Sequence, residues 1–261
     1  MVTGSTATGQ ADFYSDVEMF IYYDELPPKE QLQQARHLNN GSEPIFTFDD
    51  CDKGHFGECY FIDGVDFQIG NVTIAFWEEE IMATVLQKLD TTSPLQKALS
   101  GMLDCIPLHG EEIIGQWKTQ IANYPDALAK AMVESNLSFF AIWALQDHLD
   151  ARDTTIFQHQ IRLENVQKLL GVLAGLNHQY YSTFQFKRMQ QFIEQMHIAP
   201  KNLCARLEDI FCQEPTAAVN PMKELIAETI ALVEQQMPEV KTSNVQRSLN
   251  RQPRTWEPKA I

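Results

Sequence analysis

The spacing of hydrophobic and polar positions changes about a third of the way along the chain. Before residue 80, apolar residues form short runs rich in β-branched and aromatic side chains. These runs predict strands over 17–23, 44–48, 59–62, 65–69 and 72–76. Two consecutive prolines end the first strand and predict a helix over 29–38. Asp63 and Gly64 separate two of the runs and predict a tight hairpin turn.

Beyond residue 94 the apolar residues recur at intervals of three and four. This period predicts helices over 127–149, 161–176, 189–196, 200–211 and 221–237. The stretch 239–261 lacks this helical period and is basic. We interpret this stretch as a flexible tail or as a segment that docks on the acidic body. The pattern therefore predicts an α+β fold, with a small mixed sheet over 1–90, an all-helical domain over 91–238 and a basic tail over 239–261.

Composition narrows the range of partners. The 261 residues carry a formal charge of −15, which disfavours binding to nucleic acid and favours cationic small molecules and divalent metals. The five cysteines are an odd number in a long chain, and we interpret them as reduced thiols of a cytoplasmic protein. No apolar run approaches the roughly 20 residues that span a bilayer, so we expect no membrane partner.

Candidate chemistry is concentrated in residues 4–19, GSTATGQADFYSDVEM. Gly4 allows a close backbone approach to a phosphate, and Ser5 can donate hydrogen bonds to it. Asp16 and Glu18 are two residues apart at the head of a predicted strand, so their carboxylates point to the same face. Two carboxylates together with triphosphate oxygens suit Mg²⁺, which prefers hard oxygen ligands.

A third carboxylate is expected on a neighbouring strand. Asp66 lies among apolar residues in the predicted strand 65–69, where an acid is costly unless it is paired or bound to metal. It is therefore the candidate third acid, either as a metal ligand or as the group that removes a proton from the acceptor.

The run from Gly4 to Met19 resembles the signature of the nucleotidyltransferase superfamily that includes DNA polymerase beta: GS, a spacer, then D-x-[DE]. Its local form, Tyr-Ser-Asp-x-Glu-Met, is most similar to the kanamycin and lincosamide nucleotidyltransferases. The resemblance implies that a catalytic domain over 1–90 uses Mg²⁺ and a nucleoside triphosphate such as ATP. It implies metal ligation by Asp16 and Glu18, phosphate contacts by Gly4 and Ser5, and a third acidic residue at Asp66.

The resemblance also implies the reaction. Such enzymes transfer a nucleoside monophosphate to a hydroxyl of a small molecule, and an aminoglycoside-like antibiotic is one candidate acceptor. The helical domain over 91–238 would then bind substrate. A non-catalytic nucleotide-binding relative, or a nucleotidyltransferase that acts on a protein, is the alternative. Glu134 is a second candidate for the general base, and both a monomer and a homodimer remain open.

One feature departs from the family pattern. Only Val2 and Thr3 separate the first residue from Gly4, whereas family members carry a helix and a strand there. We therefore expect the catalytic domain to be N-terminally short.

Overall fold

The computed structural model describes residues 1–92 and 94–253, and for residues 184–186 it describes the backbone alone. The chain divides into two compact units, Met1–Tyr124 and a second that begins at Pro125. The first contains a mixed sheet of five strands, so the fold is α+β. The predicted domain boundary at residue 90 stays a prediction. No helix within the described ranges is long and apolar enough to cross a membrane.

The sheet has the strand order β1-β2-β5-β4-β3. Its strands are β1 (Val2–Thr3), β2 (Val17–Tyr23), β3 (Phe46–Asp50), β4 (His55–Ile62) and β5 (Val65–Thr73). The central pair, β2 and β5, is parallel, whereas each of the other pairs is antiparallel. The hairpin between β4 and β5 turns at Asp63 and Gly64, with φ values of 50° and 83°, as the Asp-Gly signal predicts.

The sheet departs from the sequence prediction most clearly at β1 and β5, whereas β3 is displaced by two residues and β4 begins four residues earlier than predicted. Val2 and Thr3 form a strand that pairs with β2, so a short strand does precede Gly4. Residues 65–73 form one strand, where the pattern predicted two strands, 65–69 and 72–76. Gly70 looks like a break in the sequence, but the ring of Phe20 on β2 covers it, since a Cβ at Gly70 would lie 2.6 Å from that ring.

Helices of the first unit pack on the sheet. They are α1 (Gly4–Ala7), α2 (Lys29–Leu38), α3 (Ala83–Leu86), α4 (Leu95–Asp104) and α5 (Glu111–Ala122), with a π-helical segment at Phe76–Met82 before α3. The ring of Trp117 on α5 is 1% exposed and lies 4.8 Å from that of Tyr22 on β2. On the opposite face, Arg36 of α2 forms a buried ion pair with Glu58 of β4.

The second unit is helical over its described residues. Its helices are α6 (Asp126–Asn136), α7 (Gln146–Asp150), α8 (Thr155–Leu176), α9 (Met189–Glu194), α10 (Leu203–Cys212), α11 (Val219–Gln236) and α12 (Ser243–Leu249). The single helix predicted over 127–149 is wrong, because α6 ends at Asn136. The side chain of Asn165 bonds both the N–H and the C=O of Phe140, and so satisfies backbone groups that a longer helix would have paired.

Part of the C-terminal stretch is helical, which its sequence did not predict. Instead of an aperiodic tail from residue 239, the chain forms α12, on which Val245 is 5% exposed. Glu234 of α11 accepts hydrogen bonds from Thr242 at 2.7 Å and from Gln246 at 3.1 Å, which fixes α12 on α11. Residues 254–261 of the predicted tail lie outside the described residues.

Candidate active site

The candidate carboxylates belong to the end of the sheet at which the two parallel strands begin. The register pairs Val17 with Phe67 and Glu18 with Gln68, and its continuation by one residue sets Asp16 opposite Asp66. Paired residues of neighbouring strands point to the same face of a sheet. Asp16, Glu18 and Asp66 therefore share one face at one end of β2 and β5.

Asp16 is held by an amide from the neighbouring strand. Gln68 Nε2 donates to Asp16 Oδ2 at 2.5 Å. The backbone carbonyl of Asp16 accepts a hydrogen bond from the Thr6 hydroxyl at 3.4 Å, which connects this position to the loop that follows Gly4. The side chain of Asp16 is half-buried, so its carboxylate is oriented while remaining open to a ligand.

Glu18 lies directly against Gly4. A Cβ built at Gly4 would overlap Glu18 Oε2 and lie 3.0 Å from Glu18 Cδ, so the carboxylate uses space that only glycine leaves open. Gly4 also has a φ of 66°, a conformation that residues with a Cβ rarely adopt. The other oxygen, Glu18 Oε1, lies 3.6 Å from Lys97 Nζ on α4.

Asp66 is paired with a thiol. Cys59 Sγ donates to Asp66 Oδ1 at 2.9 Å across the β4–β5 hairpin. Burial raises the pKa of Cys59 to about 11, with further contributions from the hydrogen bond to Asp66 and from the charges of Asp66 and Asp16. The thiol therefore stays protonated at neutral pH and keeps its proton available to Asp66.

The predicted phosphate-contacting pair opens the short helix α1. Gly4 and Ser5 are its first two residues, directly after β1. The carbonyl of Ser5 accepts a hydrogen bond from Gln10 N at 2.8 Å, and the carbonyl of Gly4 accepts one from Thr8 N at 3.2 Å. These bonds fold residues 4–10 into a tight loop beside Glu18.

The donor set fits Mg²⁺ in its chemistry, because carboxylate oxygens are the ligands that this ion prefers. Within 1–92 and 94–253, however, no three His, Cys, Asp or Glu side chains form a group that could hold a metal ion. Each of the three carboxylates instead contacts a different neighbour. Asp16 contacts Gln68, Glu18 contacts Lys97, and Asp66 contacts Cys59. Metal ligation by Asp16 and Glu18 stays a prediction.

Three residues around the carboxylates were missed by the sequence reasoning. Gln68 is two residues from Asp66, so strand alternation alone places it on the same face. The two-residue turn at Asp63 and Gly64 fixes Cys59 opposite Gln68, and this register was also accessible from the sequence. Lys97 had no local signal, because its approach depends on how α4 packs.

Glu134, the second candidate for the general base, belongs to the second unit. It lies on α6 and forms an ion pair with Lys130 one turn earlier, at 3.9 Å. This exposed pair at i and i+4 is typical of a solvated helix surface.

Comparison with known proteins adds no family to this description. The chain matches no model of a known protein family, and no curated protein matches its sequence.

Proposed function

We propose that this protein is an Mg²⁺-dependent nucleotidyltransferase that transfers a nucleoside monophosphate from ATP, or another nucleoside triphosphate, to a hydroxyl of a small molecule. One observation carries the proposal: the parallel register of β2 and β5 brings Asp16, Glu18 and Asp66 to one face beside Gly4. Three acids from two strands next to a glycine loop suit phosphoryl chemistry, which depends on positioning and charge stabilisation.

Asp16 and Glu18 would hold the metal. Bound Mg²⁺ would offset charge on the phosphates and orient the triphosphate for in-line attack. Gln68 keeps the Asp16 carboxylate directed across the sheet, and Gly4 leaves the space in which Glu18 lies. The geometry of both ligands thus depends on neighbours within the first unit.

Asp66 would act as the general base or complete the metal site. As the base, its carboxylate takes the proton of the acceptor hydroxyl while that oxygen forms a bond to the α-phosphorus. The bond from the α-phosphorus to the bridging oxygen breaks, and pyrophosphate leaves with that electron pair. The acceptor hydroxyl would replace the Cys59 thiol as the donor to Asp66, since both are neutral hydrogen-bond donors.

Gly4 and Ser5 would contact the phosphates. The missing side chain of Gly4 allows the backbone to approach them closely, and Ser5 follows it in the same tight loop. This role rests on the resemblance of the Gly-Ser motif and on the closeness of Gly4 to Glu18.

The remaining features of the proposal rest on the sequence. The charge of −15 is compatible with a cationic acceptor such as an aminoglycoside, and we assign acceptor binding to the helical domain over 91–238. We place the protein in the cytoplasm, where its five free cysteines would remain reduced.

Titration calorimetry with Mg-ATP and Mg-GTP tests the proposal. The unsubstituted protein should bind at least one of them, and Asp16→Asn with Glu18→Gln should abolish that binding. A matched control is Glu79→Gln with Glu80→Gln, which removes the same charge from two exposed residues of the π-helical segment.

The outcomes separate the alternatives. Binding that survives in the Asp16 and Glu18 variant would refute the metal site. Binding without pyrophosphate release for any hydroxyl acceptor screened would favour the non-catalytic nucleotide-binding protein. A folded protein that binds neither nucleotide would refute both.

A further inference from the structure

Helix α4 packs on the edge of the sheet next to the candidate site. Thr3 of β1, which pairs with Glu18 in the register, donates its hydroxyl to the carbonyl of Gly101 at 2.8 Å. A Cβ at Gly101 would lie 2.9 Å from Thr3 Oγ1, so a glycine is needed for this approach. The contact fixes α4 at the level of Glu18.

Lys97 lies one helical turn before Gly101 and therefore on the same side of α4. Its Nζ is 3.6 Å from Glu18 Oε1. Within the described ranges, no other Lys or Arg forms an ion pair with Asp16, Glu18 or Asp66.

The position of Lys97 is unfavourable for the helix itself. It lies in the first turn of α4, where the helix dipole disfavours a positive charge. The stability of α4 therefore does not account for a lysine at this position.

We propose that Lys97 binds the triphosphate of the nucleotide, and that it exchanges Glu18 for a phosphate oxygen when the nucleotide arrives. This inference rests on the proposed function and adds a residue to its site. Three carboxylates and a polyphosphate carry more negative charge than one divalent ion offsets, so a nearby cation should contribute to nucleotide affinity.

The exchange is physically accessible. The side chains of Lys97 and Glu18 are 48% and 24% exposed, and a partly exposed ion pair of this kind is weak. Lysine carries its charge on a flexible stem with three donors, which allows it to follow a phosphate. Glu18, once released by Lys97, would have both oxygens available for the metal.

This arrangement predicts two effects of opposite sign when the lysine charge is removed. Lys97→Met should weaken binding of Mg-ATP by about tenfold, because a charge-assisted phosphate contact is lost. It should strengthen binding of Mn²⁺ alone by about two- to fivefold, because Glu18 no longer has a competing cation. A role in folding alone would not produce these opposite changes.

Titration calorimetry of the full chain with Mg-ATP, and separately with Mn²⁺, tests the inference. Lys97→Arg, which retains the charge, should keep Mg-ATP affinity within about threefold of the unsubstituted protein. Lys88→Met is the matched control: it removes an equal charge from an exposed lysine of the same unit, whose Nζ bonds Thr84 Oγ1 at 3.4 Å. It should leave both affinities within about twofold, since it contacts no site carboxylate.

Mg-ATP binding that is unchanged in Lys97→Met overturns the inference while leaving the proposed function intact. Equal losses in Lys97→Met and Lys88→Met also overturn it, because they would reflect overall charge. If the unsubstituted protein binds neither Mg-ATP nor Mg-GTP, the proposed function fails and the inference fails with it; if it binds Mg-GTP alone, the same variants are compared with Mg-GTP.

Discussion

The contact between Gly4 and Glu18 predicts how Gly4→Ala changes stability and Mg-ATP affinity. The substitution adds a methyl group at a residue whose φ is 66°, and that methyl would overlap Glu18 Oε2. Gly110→Ala is the matched control, because its φ is 68° and its added Cβ would lie 3.5 Å from Ile113 Cγ2, an ordinary contact. The two substitutions share the backbone strain and differ in the overlap with Glu18.

The magnitudes separate the two contributions. A left-handed conformation costs an alanine about 1–2 kcal/mol, and this cost applies to Gly4→Ala and Gly110→Ala alike. The overlap at Gly4 is with the end of a flexible side chain, so rotation of Glu18 relieves it for about 0.5–1.5 kcal/mol more. The rotated carboxylate would no longer be placed for the metal, and we expect Mg-ATP affinity to fall by about 10–100-fold in Gly4→Ala only.

Urea unfolding and titration calorimetry on the same preparations measure both quantities. We expect similar unfolding free energies for the two variants, with Gly4→Ala the lower by up to about 1.5 kcal/mol. Mg-ATP affinity should fall in Gly4→Ala and be retained in Gly110→Ala. Equal Mg-ATP affinity in the two variants would refute the reasoning that Gly4 reserves space for Glu18.

Two further predictions concern neighbouring parts of the first unit. Arg36→Met leaves the buried Glu58 carboxylate without its cation and should lower the unfolding free energy by about 3–5 kcal/mol in a urea titration. Adding Glu58→Leu to Arg36→Met should restore most of that loss. If Arg36→Met alone were as stable as the unsubstituted protein, the Arg36–Glu58 pair would not be a buried ion pair that supports the fold. Asp66→Asn should lower the pKa of Cys59 from about 11 and speed its alkylation by iodoacetamide at alkaline pH. Peptide mass spectrometry would follow the reaction at that cysteine, and an unchanged rate would count against the Asp66 contact.

Much of the fold could be predicted because local chemistry determined it. Helix α2 has the predicted bounds, since two prolines precede it, and the β4–β5 hairpin follows from its Asp-Gly turn. The errors arose where distant residues decide the local structure. Asn165 satisfies the backbone at Phe140 and so allows α6 to end early, and the ring of Phe20 covers Gly70 and so allows β5 to continue.

The candidate site also has a part that could be predicted from local sequence and a part that could not. The spacing of Asp16 and Glu18 and the place of Asp66 among apolar strand residues were visible in the sequence, and the strand register places all three on one face. The contact of Lys97 with Glu18 was not accessible, because it depends on the packing of α4 against β1 through Gly101. Periodicity identifies which residues share an element, but it does not indicate how two distant elements meet.

Each of the three carboxylates has a different donor beside it. Glu18 has an ammonium group and Asp16 an amide at 2.5 Å, whereas Asp66 has the thiol of Cys59. A thiol is the weakest hydrogen-bond donor of the three. Asp66 is therefore the carboxylate whose present donor, the Cys59 thiol, a new donor displaces most readily. An acceptor hydroxyl is such a donor, so the pairing favours Asp66 as the base and Asp16 with Glu18 as the metal ligands.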